Sequence, residues 1–419
     1  MNRRMTQSQP LRVAVVASSL KLAGAEKQTF YQARALHHAG VALQFYHLGG
    51  DGHYEPALQQ AGVNVERIYY PNGPGRILAK LITSIWSQRP HVVLAAQFDD
   101  LRYAAPAGRL CRSLVLGGVR SDGFYELKQY GHWLPRLAHG LIANSFRAKQ
   151  NLMSVKIHGE KIEVLPNVID LADFDESRTR PCEFSLPQDR TLVDHHPNLH
   201  AYKRFDRFLE ALALARRTEP KLAGVIAGAD CGVRPALQAH AEKLGLMARD
   251  LIFLGAIDCV PALLARSAML ALTSDYEGFP NVILEAMAAR LPVITVPAGD
   301  AKVVVRHEQT GFVVAADDIR DLAARMVQLA QFPELRQRFG EAGRRCVEKD
   351  YGCGPLAERL LDIFHVFACQ HRKFSLCVAL ERTANANSSE PVTDGPVFAP
   401  GQVLNNTALP ARKPLASQS

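Results

Sequence analysis

The chain has 419 residues, of which 47% are hydrophobic and 21% charged, and its formal net charge is +8. This length suits two domains, and this composition excludes a wholly disordered chain. No apolar run reaches the roughly 18 residues that a membrane-spanning helix requires, so we expect a cytoplasmic protein.

Short apolar runs alternate with helical patterns in the first part of the chain. The run 11–17 predicts a strand, and 26–39 predicts a helix that ends at Gly40, a favourable left-handed cap. Further strands are predicted at 41–48, 91–96, 113–117, 140–144 and 161–165. Strands that alternate with helices predict a parallel sheet.

A second series of the same kind follows. A weak strand at 191–193 precedes an amphipathic helix at 204–217. Further strands are predicted at 223–227, 251–254, 269–273, 293–296 and 311–314. The predicted fold class is therefore α/β, with two Rossmann-like domains facing across a cleft that binds a ligand at the carboxyl ends of the strands.

Composition divides the chain into five segments. The periodic pattern fails from about Lys373, and residues 384–419 are rich in Ala, Asn, Ser, Pro, Thr and Gly, so we expect the tail to be flexible and without a core of its own. The segments are an N-terminal domain at 1–168, a linker at 169–188, a C-terminal domain at 189–350, a helical segment at 351–372 and the tail at 373–419.

Eight cysteines are scattered along the chain, and none forms a C-x-x-C pair. Reduced thiols are expected rather than a zinc site or a disulfide framework. The segment Asp194-His195-His196 and the nearby His200 follow no standard metal-binding spacing, so no metal site is predicted. The positive charge favours anionic partners in general, namely phosphate ligands, acidic lipids or nucleic acid.

The stretch 273–294 reads as strand, loop, helix and strand, with Pro280 in the expected first turn of the helix. Free amides at that helix start predict a phosphate site, since they act together with the helix dipole. These amides belong to Gly278, Phe279, Asn281 and Val282. Glu277 and Glu285 flank the site, where a carboxylate can accept two hydrogen bonds from a diol. The alternative is that both are solvated charges of a helix start.

The block Glu277-Gly-Phe-Pro-Asn…Glu285-Ala-Met-Ala resembles the E-x7-E signature of the group 1 (family 4) retaining glycosyltransferases, and the resemblance extends over residues 11–370. It implies the GT-B fold, with an N-terminal acceptor domain and a C-terminal nucleotide-sugar donor domain. It implies donor-sugar contact for Glu277, ribose contact for Glu285, and phosphate or sugar contact for the four amides. The donor substrate is then a nucleoside-diphosphate sugar, and no cofactor is expected.

A second element, Asn198-Leu-His-Ala-Tyr-Lys203-Arg204, is similar to the family's Arg and Lys five residues apart. Lys203 matches the Lys and is expected to neutralise the departing diphosphate. Asn198 stands in place of the Arg and Pro197 in place of the preceding Gly. Asn198 can still donate a hydrogen bond, and Arg204 is a candidate for the missing charge. A solvated basic helix start is the alternative, which the helix dipole disfavours.

Weaker similarities concern three glycines and one arginine. Gly24 precedes Glu26 as in the family's G-G-A-E loop, near the donor phosphates and the acceptor. Gly228 and Gly255 match glycines at strand ends, and the loop of Gly255 lines the base in the family. Arg120 is a candidate for acceptor or catalytic contacts, with a surface loop charge as the alternative.

The leading hypothesis is a retaining hexosyltransferase that uses a glycan or lipid-linked acceptor in surface polysaccharide synthesis, with the basic chain held peripherally at an anionic inner membrane surface. An alternative is a catalytically impaired GT-B descendant that binds a nucleotide or glycan, which the departures at Asn198 and Pro197 favour. The chain lacks the G-x-G-x-x-G motif that an NAD-dependent oxidoreductase would show after its first strand. A GT-B epimerase is a further enzyme alternative. No nucleic-acid partner is expected, since only the charge supports one.

Overall fold

The computed structural model describes residues 10–387, apart from 51, 72, 181, 183 and 197. Pro197 and the part of the predicted tail at 388–419 therefore lie outside the described residues. Within the described part of the chain, no helix combines the length and apolar character needed to cross a bilayer.

The first half forms a seven-stranded parallel sheet in the order β3-β2-β1-β4-β5-β6-β7. Its strands are β1 (Arg12–Ala17), β2 (Ala42–His47), β3 (Asn64–Arg67), β4 (Val92–Ala95), β5 (Leu114–Val119), β6 (Gly140–Ala143) and β7 (Ile162–Val164). In β1, Val13 and Val15 face one apolar core while Ala14 and Val16 face another. Both faces of this sheet are therefore covered, as alternation along a strand requires.

The second half forms a six-stranded parallel sheet in the order β10-β9-β8-β11-β12-β13. Its strands are β8 (Thr191–His195), β9 (Leu222–Ala227), β10 (Leu251–Gly255), β11 (Met269–Leu272), β12 (Val293–Thr295) and β13 (Gly311–Val313). The predicted strand at 191–193 thus continues for two more residues, and those two are polar. The expected fold class of two Rossmann-like α/β domains is confirmed.

Helices connect the strands and cover the sheets. In the first half they are α1 (Gly24–His38), α2 (Glu55–Gln60), α3 (Pro74–Gln88), α4 (Leu101–Leu110), α5 (Phe124–Tyr130), α6 (Leu134–Leu137) and α7 (Phe146–Ser154). They continue with α8 (Leu171–Ser177), α9 (Phe205–Arg216), α10 (Arg234–Lys243), α11 (Val260–Arg266), α12 (Asn281–Ala288), α13 (Ala301–Val304), α14 (Ile319–Gln331) and α15 (Pro333–Asp350).

The last two helices, α16 (Leu356–Gln370) and α17 (Phe374–Asn387), return to the first half. Phe367 of α16 and both Leu376 and Leu380 of α17 are buried in the same core as β1. The prediction of a flexible tail from residue 373 onward is therefore wrong for residues 374–387. The two leucines lie one helical turn apart and pack onto a core formed by residues distant in the chain, which a local pattern does not show.

The two halves touch along the carboxyl ends of their strands. Asp300, before α13, accepts hydrogen bonds from the amides of Phe146 and Arg147 at 2.7 and 2.9 Å, at the start of α7 in the other half. The Asn167 side-chain amide donates to Asn281 Oδ1 at 2.8 Å. These contacts hold the two sheet edges face to face and enclose the cleft where the predicted site residues lie.

Candidate functional site

Lys203 and Glu277 form an ion pair where the chain leaves β8 and β11. Lys203 Nζ lies 2.7 Å from Glu277 Oε1, and the Ser274 hydroxyl donates to the same oxygen at 2.7 Å. The lysine and glutamate side chains are 13% and 10% exposed, so both charges are largely desolvated but still reach solvent. The structure thus brings together two residues that lie 74 positions apart in the chain.

Local contacts fix the backbone under Lys203. A short 3-10 turn at Ala201–Lys203 follows β8, and the Thr273 hydroxyl lies 3.1 and 2.9 Å from the carbonyl oxygens of Lys203 and Arg204. The ammonium group also lies 5.1 Å from the centre of the Tyr202 ring, a favourable cation–π distance. The cation is therefore held at the end of β8 rather than left free in solvent.

Arg204 is placed differently from its neighbour. Its backbone is left-handed, with φ of 52°, and its guanidinium binds Asp206 at 2.7 Å and Asp275 at 3.2 Å. Carboxylates already neutralise this cation, and its expected contribution to a diphosphate site stays a prediction. Lys203 is the member of the basic pair that faces Glu277.

Glu285 belongs to a buried charge cluster that the sequence analysis did not predict. His196 donates from Nδ1 to Asp194 and from Nε2 to Glu285 Oε2, the latter at 3.2 Å. Lys27, on α1 of the other half, lies 3.6 Å from Glu285 Oε1. The side chains of Asp194 and His196 are 0% and 2% exposed. One imidazole therefore links the end of β8 to α12.

The protonation of this cluster follows from its geometry. Burial lowers the pKa of His196, but the Asp194 carboxylate and the contact with Glu285 outweigh burial and raise this pKa to about 10. Burial raises the pKa of Glu285, yet the hydrogen bond from His196 and the charge of Lys27 bring it below its ordinary value. At neutral pH the cluster thus holds an imidazolium between two carboxylates.

The neighbouring His195 is part of the core. Its ring lies 4.5 and 4.9 Å from the rings of Phe205 and Phe208, and Nδ1 contacts the Ala271 carbonyl oxygen at 2.5 Å. Burial lowers the pKa of His195 to about 3, so this ring stays neutral. His195, the last residue of β8, and His196, which follows it, therefore have different roles, because adjacent residues of an extended chain point to opposite sides.

The start of α12 offers unpaired amides to the cleft. The helix begins at Asn281, with Pro280 preceding its first residue rather than lying inside the first turn. In the described part of the chain, no hydrogen bond is donated by the backbone amides of Gly278, Phe279, Asn281 and Val282. The predicted helix start is thus present with these four amides available, and anion binding there stays a prediction.

Two glycines allow the first half to approach this helix start. A Cβ on Gly24 would lie 2.6 Å from Asn281 Nδ2, and a Cβ on Gly278 would lie 2.5 Å from the Ser121 carbonyl oxygen. A side chain at Gly278 would clash with backbone unless the halves separate, whereas one at Gly24 would require the Asn281 side chain to move. Gly24 therefore lies against the start of α12, and Gly278 lies against the loop that follows β5.

Asn198, Gly228 and Gly255 lie together beyond β8, β9 and β10. Asn198 Oδ1 accepts from the Ala229 amide at 3.1 Å, and the Gly228 amide donates to the Gly255 carbonyl at 2.7 Å. Both glycines have positive φ, of 144° and 76°. The described contacts of these residues are with the backbone of neighbouring strand ends, which shapes this side of the cleft.

Arg120 follows β5 and points into the first half. Its guanidinium donates to the Ala96 carbonyl at 3.1 Å and to Gln32 Oε1 at 2.9 Å, while Nη1 is buried with no partner among the described residues. Burial lowers its pKa to about 10, against the charge of Glu26. The alternative of a surface loop charge is therefore wrong.

Four residues of the cleft were missed as site residues: Lys27, Asp194, His196 and Asp300. The sequence carried a signal for Asp194 and His196, because the polar run Asp-His-His at the end of a buried strand departs from the apolar pattern of its sheet. Lys27 and Asp300 gave no signal, since their roles arise only when the two halves face each other.

The arrangement combines fixed cations, helix amides and two carboxylates in one cleft. Lys203 and the amides of α12 suit a phosphate-bearing ligand, because both stabilise negative charge. Glu277 and Glu285 suit hydroxyl groups, which donate to carboxylates. The cleft therefore offers groups suited to phosphate beside groups suited to hydroxyls.

Comparisons with known proteins agree with this geometry. The family model of the group 1 glycosyl transferases matches residues 183–346, and that of glycosyltransferase family 4 matches residues 22–173. The two matches do not overlap, and they correspond to the second and first halves of the structure.

Two curated relatives and one solved structure illustrate the similarity. The N-acetyl-alpha-D-glucosaminyl L-malate synthase of Bacillus anthracis is 27% identical over 186 residues, 44% of this chain and 47% of that protein. The capsular polysaccharide biosynthesis glycosyltransferase CapM of Staphylococcus aureus is 34% identical over 91 residues, 22% of this chain and 24% of that protein. Each match spans less than half of the relative.

The solved structure is that of Anabaena HepE in complex with UDP and glucose. It superposes with a TM-score of 0.71 and 20% identity, over 84% of this chain and 99% of that chain. At this identity the similarity concerns the fold, which is the same two-domain arrangement.

Proposed function

Since the chain belongs to the group 1 (family 4) glycosyltransferases and has their GT-B fold, we propose that it transfers a hexose from a nucleoside-diphosphate sugar to a glycan or lipid-linked acceptor. The observation that carries this proposal is the Lys203–Glu277 pair beside the unpaired amides of α12. A sugar diphosphate requires a cation and helix amides for its phosphates, and a carboxylate for the hydroxyls of its sugar.

The donor lies along the second half in this proposal. Its diphosphate binds Lys203 and the α12 amides, and its ribose hydroxyls donate to Glu285. The sugar lies at Glu277, whose carboxylate accepts from sugar hydroxyls. Gly228 and Gly255 shape the side of the cleft that receives the base, and Asn198 supports the same loops.

The reaction proceeds with retention of the anomeric configuration. The acceptor hydroxyl attacks C1 of the sugar on the face that the diphosphate leaves, so a C1–O bond to the acceptor forms as the C1–O bond to phosphate breaks. The acceptor's proton passes to the departing diphosphate, which Lys203 and the helix dipole stabilise. The contacts between the two halves exclude water and thereby suppress hydrolysis of the donor.

The acceptor enters from the first half in this proposal, on the side where Gly24 lies against the start of α12, and the buried Arg120 positions the chain after β5. A surface polysaccharide is the proposed product class, which the similarity to a capsular polysaccharide glycosyltransferase supports. The net charge of +8 supports peripheral binding to an anionic membrane surface on the cytoplasmic side, where lipid-linked acceptors are found.

Calorimetric titration tests the donor site. UDP, GDP and ADP are titrated separately into the purified protein, into Glu285→Ala and into Glu358→Ala, a control that removes an exposed glutamate of α16. We expect one nucleotide to bind tightly, with UDP favoured by the HepE complex, and its binding to be lost only in Glu285→Ala. A folded protein that binds none of the three nucleotides would contradict the donor site.

A transfer assay then tests the reaction. The matching nucleotide sugars are incubated with glycan and lipid-linked acceptors, and NMR of the product gives the anomeric configuration. An inverted product would overturn the proposed stereochemistry. Nucleotide binding without transfer to any acceptor would instead support the catalytically impaired descendant.

A further inference from the structure

Three soft metal ligands converge where α16 turns into α17. His365 and Cys369 are four residues apart on α16, so their side chains share one face of that helix. The chain reverses at residues 371–373, and α17 brings Cys377 to the same face. The three ligand atoms, one from each residue, all lie within 4.8 Å of one another.

The spacing of these atoms is that of a tetrahedral metal site. His365 Nε2 lies 3.5 Å from Cys369 Sγ, and Cys369 Sγ lies 3.6 Å from Cys377 Sγ. Around a zinc ion with bonds of about 2.3 Å to sulfur and 2.0 Å to nitrogen, tetrahedral angles place two sulfurs about 3.8 Å apart and sulfur and nitrogen about 3.5 Å apart. Two edges of the ligand tetrahedron are thus present.

The turn that carries these ligands is anchored to the first half. Lys373 Nζ donates to the Arg112 carbonyl at 2.7 Å, and His371 Nε2 contacts the His139 carbonyl oxygen at 3.1 Å. Leu376 and Leu380, which flank Cys377 in the chain, are buried in the first core. The approach of Cys377 to α16 is therefore fixed by contacts on both sides of it.

We propose that His365, Cys369 and Cys377 bind a zinc ion that closes the α16–α17 turn. The imidazole nitrogen and two thiolates are three of the four ligands of the tetrahedron, and binding releases the two thiol protons. Water or Glu381, one helical turn beyond Cys377, completes the site. The inference is independent of the proposed transfer reaction.

The place of the site in the fold indicates a structural ion. His139 and Arg112, which the turn contacts, precede β6 and β5, at the amino edge of the first sheet. The cleft lies at the opposite, carboxyl edge. The metal therefore joins α17 to the first domain and does not take part in transfer.

The test uses the full-length protein, freed of metal by chelation and kept reduced with a phosphine. Cobalt(II) is titrated first, because its visible bands report tetrahedral geometry and its near-ultraviolet bands report bound thiolate. Zinc(II) is then added to displace it, and the thermal unfolding midpoint is recorded with and without zinc. The variants are Cys369→Ser, Cys377→Ser and Cys231→Ser.

Cys231→Ser is a matched control, because Cys231 is also exposed and also contacts a histidine, with Sγ 3.4 Å from His200 Nε2. We expect about one cobalt ion per chain, a tetrahedral thiolate spectrum and a zinc-dependent rise in unfolding temperature for the protein and the control. Cys369→Ser and Cys377→Ser are expected to lose all three signals while keeping their helical circular dichroism.

Three results would overturn the proposal. The first is a folded, reduced protein that shows no thiolate–cobalt band. The second is equal binding by the protein and both cluster variants, which places the ion elsewhere. The third is recovery of Cys369 and Cys377 as a disulfide under the same reducing conditions, which shows a redox pair instead.

Discussion

The central strands of the two sheets, β1 and β8, occupy equivalent positions but end differently. Each has parallel neighbours on both sides, β2 and β4 for β1 and β9 and β11 for β8. β1 ends with Val16 and Ala17, both buried and apolar. β8 ends with buried Asp194 and His195, and His196 follows. The central strand of a parallel sheet can end in apolar residues, as β1 does. Folding therefore does not require the charged residues at the end of β8.

A buried carboxylate lies at each of these edges, and its partners differ. Asp100, in the first half, accepts from the amides of Ser18 and Gln97 at 2.8 and 3.0 Å, and burial raises its pKa to about 7. Asp194 instead binds an imidazolium that continues to Glu285. Asp100 therefore stabilises a turn by accepting from its amides. Asp194 instead positions a charged imidazolium that contacts Glu285 in the cleft.

The largest effect is expected from breaking the charged end of β8. His196→Ala leaves Asp194 and Glu285 without their shared cation, and such a loss costs about 3–5 kcal/mol of unfolding free energy. Val16→Ala at the end of β1 removes apolar contact only, which costs about 2 kcal/mol at ~0.8 kcal/mol per buried carbon group. Denaturant unfolding at pH 7 measures both.

A double variant separates stability from function. Asp194→Val combined with His196→Val gives β8 an apolar end like that of β1, and replacing a whole buried pair by apolar residues is often neutral or stabilising. We expect unfolding free energy at or above that of the natural protein, with weaker nucleotide binding because Glu285 is no longer positioned. Unchanged nucleotide affinity would show that the cluster serves only the fold.

The next effect concerns the two adjacent cations after β8. Lys203→Ala removes the cation beside Glu277 and is expected to lower kcat by about 10²–10³-fold, the usual cost of losing one donor to a developing negative charge. Arg204→Ala removes a cation already bound to Asp206 and Asp275, so a much smaller change is expected. Steady-state transfer rates measure kcat for both variants. Equal losses of kcat would indicate that both residues contact the diphosphate.

Local patterns predicted the strands other than β3 and the Glu277–Glu285 block, because apolar periodicity and the Pro280 helix start are properties of short segments. β3 was missed because its four residues are exposed or half-buried and carry no apolar run. The position of α17 depends on Leu376 and Leu380, which pack onto a core formed by residues distant in the chain. No local pattern shows such a contact. Lys27 and Asp300 depend on two halves meeting. The His365, Cys369 and Cys377 cluster has no motif spacing and becomes visible only once α17 is placed.

The contact between the halves supplies a smaller effect. Asp300 accepts the first two amides of α7, while Ser145 accepts the Ala148 amide of the same helix at 3.1 Å. Removing either cap is expected to cost about 1–2 kcal/mol. Only Asp300→Ala should also increase the radius of gyration in X-ray scattering, since Ser145→Ala breaks no contact between halves. An equal expansion in both variants would contradict this role of Asp300.

The last effect is a pH dependence that the charged end of β8 introduces. The pKa of His196, about 10 in the folded protein, exceeds its ordinary value of 6.5. Its stabilising contribution is therefore complete below about pH 6.5 and is lost as pH rises through about 10, by no more than about 1.4 kcal/mol per pH unit. Asp194 and Glu285 face the ring, and the pKa of Glu285 lies below its ordinary value, so this carboxylate does not titrate in this range.

The interval from pH 7 to 8.5 tests this contribution against the Asp194→Val and His196→Val double variant, which keeps other groups that titrate nearby, such as Asp100 with its pKa of about 7. Burial lowers the pKa of His139 to about 4, so that group changes stability only below its ordinary value. Cysteine and tyrosine side chains ionise in the unfolded chain mainly above about pH 8.5. Unfolding free energy should decline across the interval in the natural protein and stay nearly level in the Asp194→Val and His196→Val double variant. A similar decline in both proteins would assign the pH dependence to groups outside β8. The charged end of β8 would then contribute no more to it than the apolar end of β1.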